Sequence, residues 1–175
     1  QRVTRSYFEH FLVQFVERFT VQRADNVIIK APFSETFIRE LNPSAKITLV
    51  ENIVHEAFFS VNARSESEKR KILYVGDLLN TKGIEILIHA FHQLARPYPA
   101  IELHIVGTGK KFYVDNIVKP LISKGSGKGR IFLKGRLSAT EIALEFKDAA
   151  MLVLPSYYDT SPNVIAEAMV AGVPV

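Results

Sequence analysis

Lys71-Ile-Leu-Tyr-Val-Gly76, then Asp77-Leu-Leu-Asn-Thr-Lys82-Gly83, then Ile84-Glu-Ile-Leu87-Ile88-His-Ala-Phe91-His-Gln-Leu94: the order of these three pieces decides the fold. A short apolar run that stops at a glycine reads as a buried strand. The polar piece after it reads as a turn. Ile84, Leu87, Ile88, Phe91 and Leu94 recur at helical spacing, which predicts one apolar face on a helix. The same pattern returns three times downstream. A strand over 101–107 leads to a helix near 110–123, one over 131–135 to a helix near 140–147, and one over 151–155 to a helix near 162–171. Strand and helix in alternation predict an α/β protein with a doubly wound parallel sheet.

Upstream the pattern changes. Phe8, Phe11, Leu12, Phe15, Val16 and Phe19 share one helical face, so residues 4–21 read as an amphipathic helix packed on a core. A strand over 26–30, a helix over 34–41 capped by Ser34, and a strand over 46–50 follow. Residues 60–70 are polar with little to bury and read as a loop in or just after an interdomain connection. This predicts a domain end and crossover over 1–55 and a second domain over 56–175. Gln1 at the start, and an apolar run only beginning at Val173-Pro174-Val175, are what a fragment of a longer enzyme would show.

Composition narrows the classes. Of 175 residues, 47% are apolar and 23% charged, which is globular rather than disordered. There is no cysteine, which excludes disulfides, thiolate zinc sites and cysteine nucleophiles. No apolar run nears the roughly 20 residues of a membrane helix. Net charge is +4, and residues 1–60 carry seven basic and seven acidic side chains, so the excess lies in 61–175. That favours an anionic ligand there, or describes an ordinary solvated surface. No basic patch interleaved with aromatics argues for nucleic acid.

In a doubly wound sheet, ligands bind at the carboxyl ends of the strands, near the switch point. Gly107-Thr-Gly109 looks like a dinucleotide turn, but Phe112 stands where the third glycine belongs, and a tight strand–helix turn explains it better. Gly125-Ser-Gly-Lys-Gly-Arg130 precedes a strand and lacks a Ser or Thr after Lys128, so it reads as a flexible surface loop rather than a phosphate loop. Ser156 lacks the glycine frame of a hydrolase nucleophile. His89 and His92 have no third ligand nearby to make a zinc site.

The last unit carries more. In Pro155-Ser-Tyr-Tyr-Asp159-Thr-Ser161-Pro162-Asn163-Val164-Ile-Ala-Glu167, Ser161 suits a helix cap and Pro162 a first turn. The N–H groups of Asn163 and Val164 would then face an anion at the helix start. Asp159 precedes that point, and Glu167 follows eight positions later. A phosphate cradle flanked by carboxylates suits a sugar–diphosphate–nucleoside; a capped surface helix with Glu167 in water remains the other reading.

Together these stretches resemble the donor-binding domain of a retaining GT-B glycosyltransferase of the family 4 (group 1) type. Asp159-x7-Glu167 resembles its paired-acid motif, in which Glu-x7-Glu is usual. Pro155-Ser156, Pro162-Asn163-Val164-Ile165, Glu167-Ala168-Met169 and Gly172-x-Pro174-Val175 fit its surround. Gly76-x5-Lys82-Gly83 resembles its Gly-Arg…Lys-Gly loop, and Ile105-Val-Gly-Thr-Gly109 and Phe132-Leu-Lys-Gly135 its middle strands. Arg23-Ala-Asp25-Asn-Val27 and Val50-Glu-Asn52 resemble the end of its acceptor domain and the crossover.

The resemblance implies transfer of a hexosyl unit from a nucleoside-diphosphate sugar to an acceptor hydroxyl with retention. It implies no metal and no cofactor beyond the donor. Gly76 belongs to the donor loop, and Lys82 would contact the diphosphate. Ser161, Asn163 and Val164 would hold the distal phosphate, and Glu167 the ribose hydroxyls. Asp159 would act near the sugar, with the turn Gly135-Arg136-Leu137 against the base. Asp159, Glu167 and Lys82 are the expected catalytic set. The implied partners are a nucleotide sugar and a glycan or lipid-linked glycan acceptor. No nucleic acid and no membrane span are expected, and the implied place is cytoplasmic, with peripheral membrane contact left open. Asp77 stands where the family usually has a second cation, and Asp159 is one methylene shorter than the usual acid. A nucleotide-sugar-binding module without activity and an epimerase of the same fold are the alternatives.

Overall fold

The computed structural model describes residues 7–61, 70–159 and 161–175, with side chains from Phe11 onward. Most of the polar loop predicted over 60–70 lies outside the described residues. The chain divides into two compact units, Gln1–Asn52 and Ile53–Val175.

The first unit contains helix α1 (Tyr7–Arg23), strand β1 (Asn26–Ile29), helix α2 (Ser34–Leu41) and strand β2 (Lys46–Leu49). β1 and β2 pair in parallel, with Asn26 opposite Lys46. Ile29, Ile38 and Ala45 form its small core. The Asn42 side chain donates to the carbonyls of Val21 and Ala24 at 3.0 and 3.1 Å, tying the end of α2 to the end of α1. Two expectations change here. Ser34 is the first helical residue rather than the cap, and Phe33 before it offers no capping side chain. The apolar face of α1 is not buried within this chain: Phe11, Leu12, Phe15, Val16 and Phe19 are all exposed. Their rings run along the helix instead, Phe11 on Phe15 at 6.5 Å and Phe15 on Phe19 at 6.1 Å, with the Arg23 guanidinium over Phe19.

The second unit holds the predicted sheet. Its strands are β3 (Lys71–Val75), β4 (Glu102–Val106), β5 (Ile131–Gly135) and β6 (Ala149–Leu152), all parallel, in the order β5-β4-β3-β6. The chain moves outward from β3 through β4 to β5, then crosses back to β6 on the other side. The switch point therefore lies between β3 and β6. Side chains alternate along β3. Ile72 and Tyr74 enter the core under α3 (Ile84–Leu94), while Leu73 enters the core under α6 (Ala139–Lys147) and α7 (Asn163–Val170). Between β4 and β5 run α4 (Lys111–Tyr113), a π-helical stretch Val114–Val118 and α5 (Lys119–Lys124). Ile84, Leu87, Ile88 and Phe91 are buried as the periodicity predicts, but Leu94, at the end of α3, is exposed. Beyond Gly172, the Pro174 carbonyl accepts from the Leu152 N–H at 2.8 Å, so this segment lies beside β6.

α6 is bound to the sheet by charge. Glu145 accepts from Lys71 of β3 at 2.9 Å, lies 3.0 Å from His104 of β4 and 3.3 Å from Lys134 of β5. Burial raises the Glu145 pKa, but the bonds from Lys71, His104 and Lys134 outweigh it and hold the carboxyl at about 2.

The glycine-rich segment after α5 is not the free surface loop its composition suggests. A Cβ at Gly125 would fall 2.2 Å from the His92 ring, and one at Gly127 would fall 2.7 Å from Phe91. The Gly127 N–H donates to His92 Nδ1 at 3.0 Å, while His92 Nε2 faces the Leu121 carbonyl at 2.9 Å. Arg130 closes the loop by donating to the carbonyls of Ala95 and Tyr98. His92 is thus a structural fastener.

Candidate functional site

The loops after β3, β4 and β5 are laced edge to edge at the carboxyl ends of the strands. The Gly76 N–H donates to the Val106 carbonyl at 3.0 Å, and the Gly107 N–H to the Gly135 carbonyl at 2.7 Å. Gly107 has φ 137°, and a Cβ on it would lie 1.9 Å from the Gly76 carbonyl oxygen. A Cβ on Gly109 would lie 2.4 Å from the Leu78 carbonyl oxygen. Close backbone approach in a tight strand–helix turn therefore explains Gly107-Thr-Gly109.

Lys82 ends a 3-10 turn, Asn80–Lys82. Gly83 then takes a left-handed conformation (φ 68°), where a side chain would be strained. A Cβ there would also lie 2.1 Å from the Pro155 carbonyl oxygen. The Tyr157 N–H donates to the Thr81 carbonyl at 3.1 Å. Two backbone contacts thus press the Lys82 turn onto the segment after β6. Lys82 Nζ reaches Asp159 Oδ2 at 2.5 Å, with 26% and 23% of the two side chains exposed.

These loops enclose an open cleft of about 520 Å³. Gly76 and Asp77 line it from β3, Gly107 and Thr108 from β4, and Arg136 and Leu137 from β5. Lys82, Asp159, Asn163 and Val164 complete the wall. Beneath it, the buried Tyr74 hydroxyl donates to the Asp77 carbonyl at 2.8 Å. Burial, with Asp77 and Asp159 nearby, pushes the phenol pKa up, so Tyr74 stays a neutral donor.

Of the residues expected from sequence, Gly76, Lys82, Leu137, Asp159, Asn163 and Val164 come together on the cleft. Gly135 is not on its wall; its φ of 71° turns the chain so that Arg136 and Leu137 are. Ser161 is not the helix cap: α7 begins at Asn163, and Pro162 holds the cap position rather than the first turn, with no capping side chain. Ser161 does not line the cleft either. The first-turn amides of α7 nonetheless lack intrahelical acceptors, as in any helix. Glu167, the fifth residue of α7, is partly buried and off the cleft wall. Burial raises its pKa, and the charge of His55 pulls it back. Arg136 is the residue sequence reasoning missed as a cation. Its guanidinium makes no ion pair or hydrogen bond with a described residue, and it follows a strand-ending glycine in a sheet whose strand ends form the site. Among the described residues no three His, Cys, Asp or Glu side chains converge as a metal site would, and no helix is long and apolar enough to cross a membrane.

The profile of the family described as glycosyl transferases group 1 matches residues 56–175. This chain belongs to that family. A glycogen synthase of Mycobacterium tuberculosis (strain H37Rv) is 30% identical to this chain over 168 residues, 93% of the chain and 39% of the relative. The O-antigen chain mannosyltransferase B of Escherichia coli is 28% identical over 103 residues, 59% of the chain and 27% of the relative. Among solved structures, Anabaena HepE in complex with UDP-glucose superposes with TM-score 0.75 at 20% identity, covering 92% of the chain and 47% of HepE. Sucrose-phosphate synthase from Thermosynechococcus elongatus gives 0.74 at 23% identity, covering 100% and 45%. At such identities these structures attest the fold, that of a GT-B glycosyltransferase half. The chain spans about two fifths of the glycogen synthase and about half of the two solved structures.

Proposed function

We propose that this chain forms the donor side of a glycosyltransferase that moves a hexosyl unit from a nucleoside-diphosphate sugar to an acceptor hydroxyl with retention. The observation that carries the reading is the meeting of Lys82, Arg136 and the start of α7 on one cleft at the switch point. A helix start offers N–H donors and the positive end of a dipole. Lys82 and Arg136 would stabilise the departing diphosphate, while the Asn163 and Val164 amides hold the distal phosphate. Charge on the leaving group is met by protein groups, so the reading needs no metal ion. Such preorganised charge is a large part of the catalysis of group transfer. Asp159 would stand near the sugar and Glu167 would take the ribose, roles that rest on the resemblance. The complex of HepE with UDP-glucose supports a nucleotide-sugar donor. Arg136 answers the loss of a cation at Asp77: the second positive charge comes from the end of β5 instead. The acceptor, a glycan or lipid-linked glycan in this reading, would be met by parts of the enzyme beyond this unit, so the chain alone should bind donor product and transfer no sugar.

Calorimetric titration with uridine, guanosine and adenosine diphosphates tests this. Saturable binding of at least one is the expected outcome; heats at the dilution level for all three would overturn the reading.

A further inference from the structure

Resting on the donor-site reading, we propose that Asp159 competes with the donor's phosphates for Lys82, so that a nucleoside diphosphate binds by exchanging one anionic partner of this ammonium for another. Three observations converge on this. Lys82 and Asp159 pair on the cleft wall, at 2.5 Å between Nζ and Oδ2. The pairing is built in, because the Gly83–Pro155 approach and the Tyr157–Thr81 hydrogen bond hold the two backbones against each other. And the pair leaves the cleft poor in positive charge. Its wall carries two cations, Lys82 and Arg136, against two carboxylates, Asp77 and Asp159, so the side chains sum to zero.

A cleft designed only to grip a diphosphate would leave its lysine free. Here the ammonium already has one anionic partner. It has three N–H donors, so it can turn two toward phosphate oxygens while Asp159 keeps or yields the third. The carboxylate places Lys82 at the phosphate position before ligand arrives, which lowers the ordering cost of binding. It also opposes the incoming charge, and it recaptures Lys82 when the diphosphate leaves. Asp159 thereby trades product affinity for a positioned cation and fast release. This role concerns the phosphates and is separate from any contact that Asp159 makes with the sugar.

The test is titration of the full chain with uridine diphosphate, guanosine diphosphate, adenosine diphosphate and inorganic pyrophosphate, comparing wild type with Asp159→Asn, Asp159→Ser and Asp77→Asn. Pyrophosphate and the nucleoside diphosphates carry no sugar, so they read the phosphate contact alone. Removing Asp159's charge should tighten the diphosphate that wild type binds by about 2- to 5-fold, the scale of a partly exposed ion pair. Asp77→Asn removes a carboxylate from the same wall without freeing Lys82 and should tighten it less. Asp159→Ser repeats the test with a different side chain should the amide not fold. Unchanged or weaker binding in both Asp159 variants overturns the proposal. Equal tightening by Asp77→Asn also overturns it, because general charge would then suffice. Failure of every form to bind any diphosphate would sink the donor-site reading itself, an outcome distinct from binding that ignores Asp159.

Discussion

Lys82 and Arg136 approach the cleft from the two strands that flank β4, one from the turn after β3 and the other from the end of β5. Their circumstances differ. Lys82 is partly buried and pinned by its turn, whereas Arg136 is exposed. Lys82→Ala should therefore weaken nucleoside diphosphate binding more. One charge-assisted hydrogen bond is worth roughly 1.5–3 kcal/mol, on the order of 10- to 100-fold. Arg136→Ala should cost about 2- to 5-fold, with the loss fading at high salt. Calorimetry at two ionic strengths separates them; an Arg136→Ala affinity equal to wild type removes that side chain from the phosphates. Gly107 offers a prediction on stability. An alanine Cβ would meet the Gly76 carbonyl at 1.9 Å in a backbone region that side chains avoid. Gly107→Ala should lower the unfolding free energy by about 1–3 kcal/mol or more. A denaturant midpoint equal to wild type would mean that the two loops do not touch.

At the scale of elements, α6 is held to the sheet by charge. Glu145 meets a lysine or histidine on each of three strands, and its pKa falls from 4.5 to about 2. A carboxyl depressed in the folded state adds stability above its unfolded pKa and loses it as pH falls through the folded one. Acid unfolding should accordingly draw on Glu145 between pH 4.5 and about 2. Glu145→Gln should be less stable at neutral pH and should lose less stability across that window. Parallel acid titrations of wild type and variant would decide it, and identical slopes would discard the network.

Elements were also where the sequence was most legible. The first three βα units announced themselves by an apolar run and a glycine and the fourth by an apolar run and a proline; β3, β4 and β5 lie within one residue of the places read, and β6 two to three residues earlier. The ends moved for physical reasons. Lys71 joins β3 because Glu145 neutralises it, and Gly76 and Gly107 fall outside their strands because they are the crossing points of the loops. Of the site, Asn163 and Val164 were legible because a helix start has a local signature, whereas Lys82 came from the resemblance of its loop. The Lys82–Asp159 pair was not, since its members stand 77 residues apart. Nor was Arg136 as a cation, because the turn at Gly135 aims the chain and composition is silent about aim. Periodicity located the apolar face of α1 but carries no information about what covers it.

On the scale of the whole chain, the two units differ in what they bury. Ile53–Val175 packs a core on each face of its sheet, whereas the core of Gln1–Asn52 is Ile29, Ile38 and Ala45 with a few half-buried neighbours. Buried apolar area is what resists local opening. Native-state hydrogen exchange should show the slowest amides in β3 and β4, and faster exchange in β1 and β2. Equal protection in the two pairs would contradict this account.

The approach of Gly83 to the Pro155 carbonyl bears on how such a site could be re-engineered. The turn that carries Lys82 and the segment that carries Asp159 are moulded to one another over a distance too small for any side chain. A donor loop transplanted from a relative between residues 77 and 83 would arrive with a surface fitted to a different partner. Chimeras that exchange 77–83 together with 155–159 should keep the cleft, whereas those that exchange one segment alone would inherit a mismatch where the phosphates are to sit.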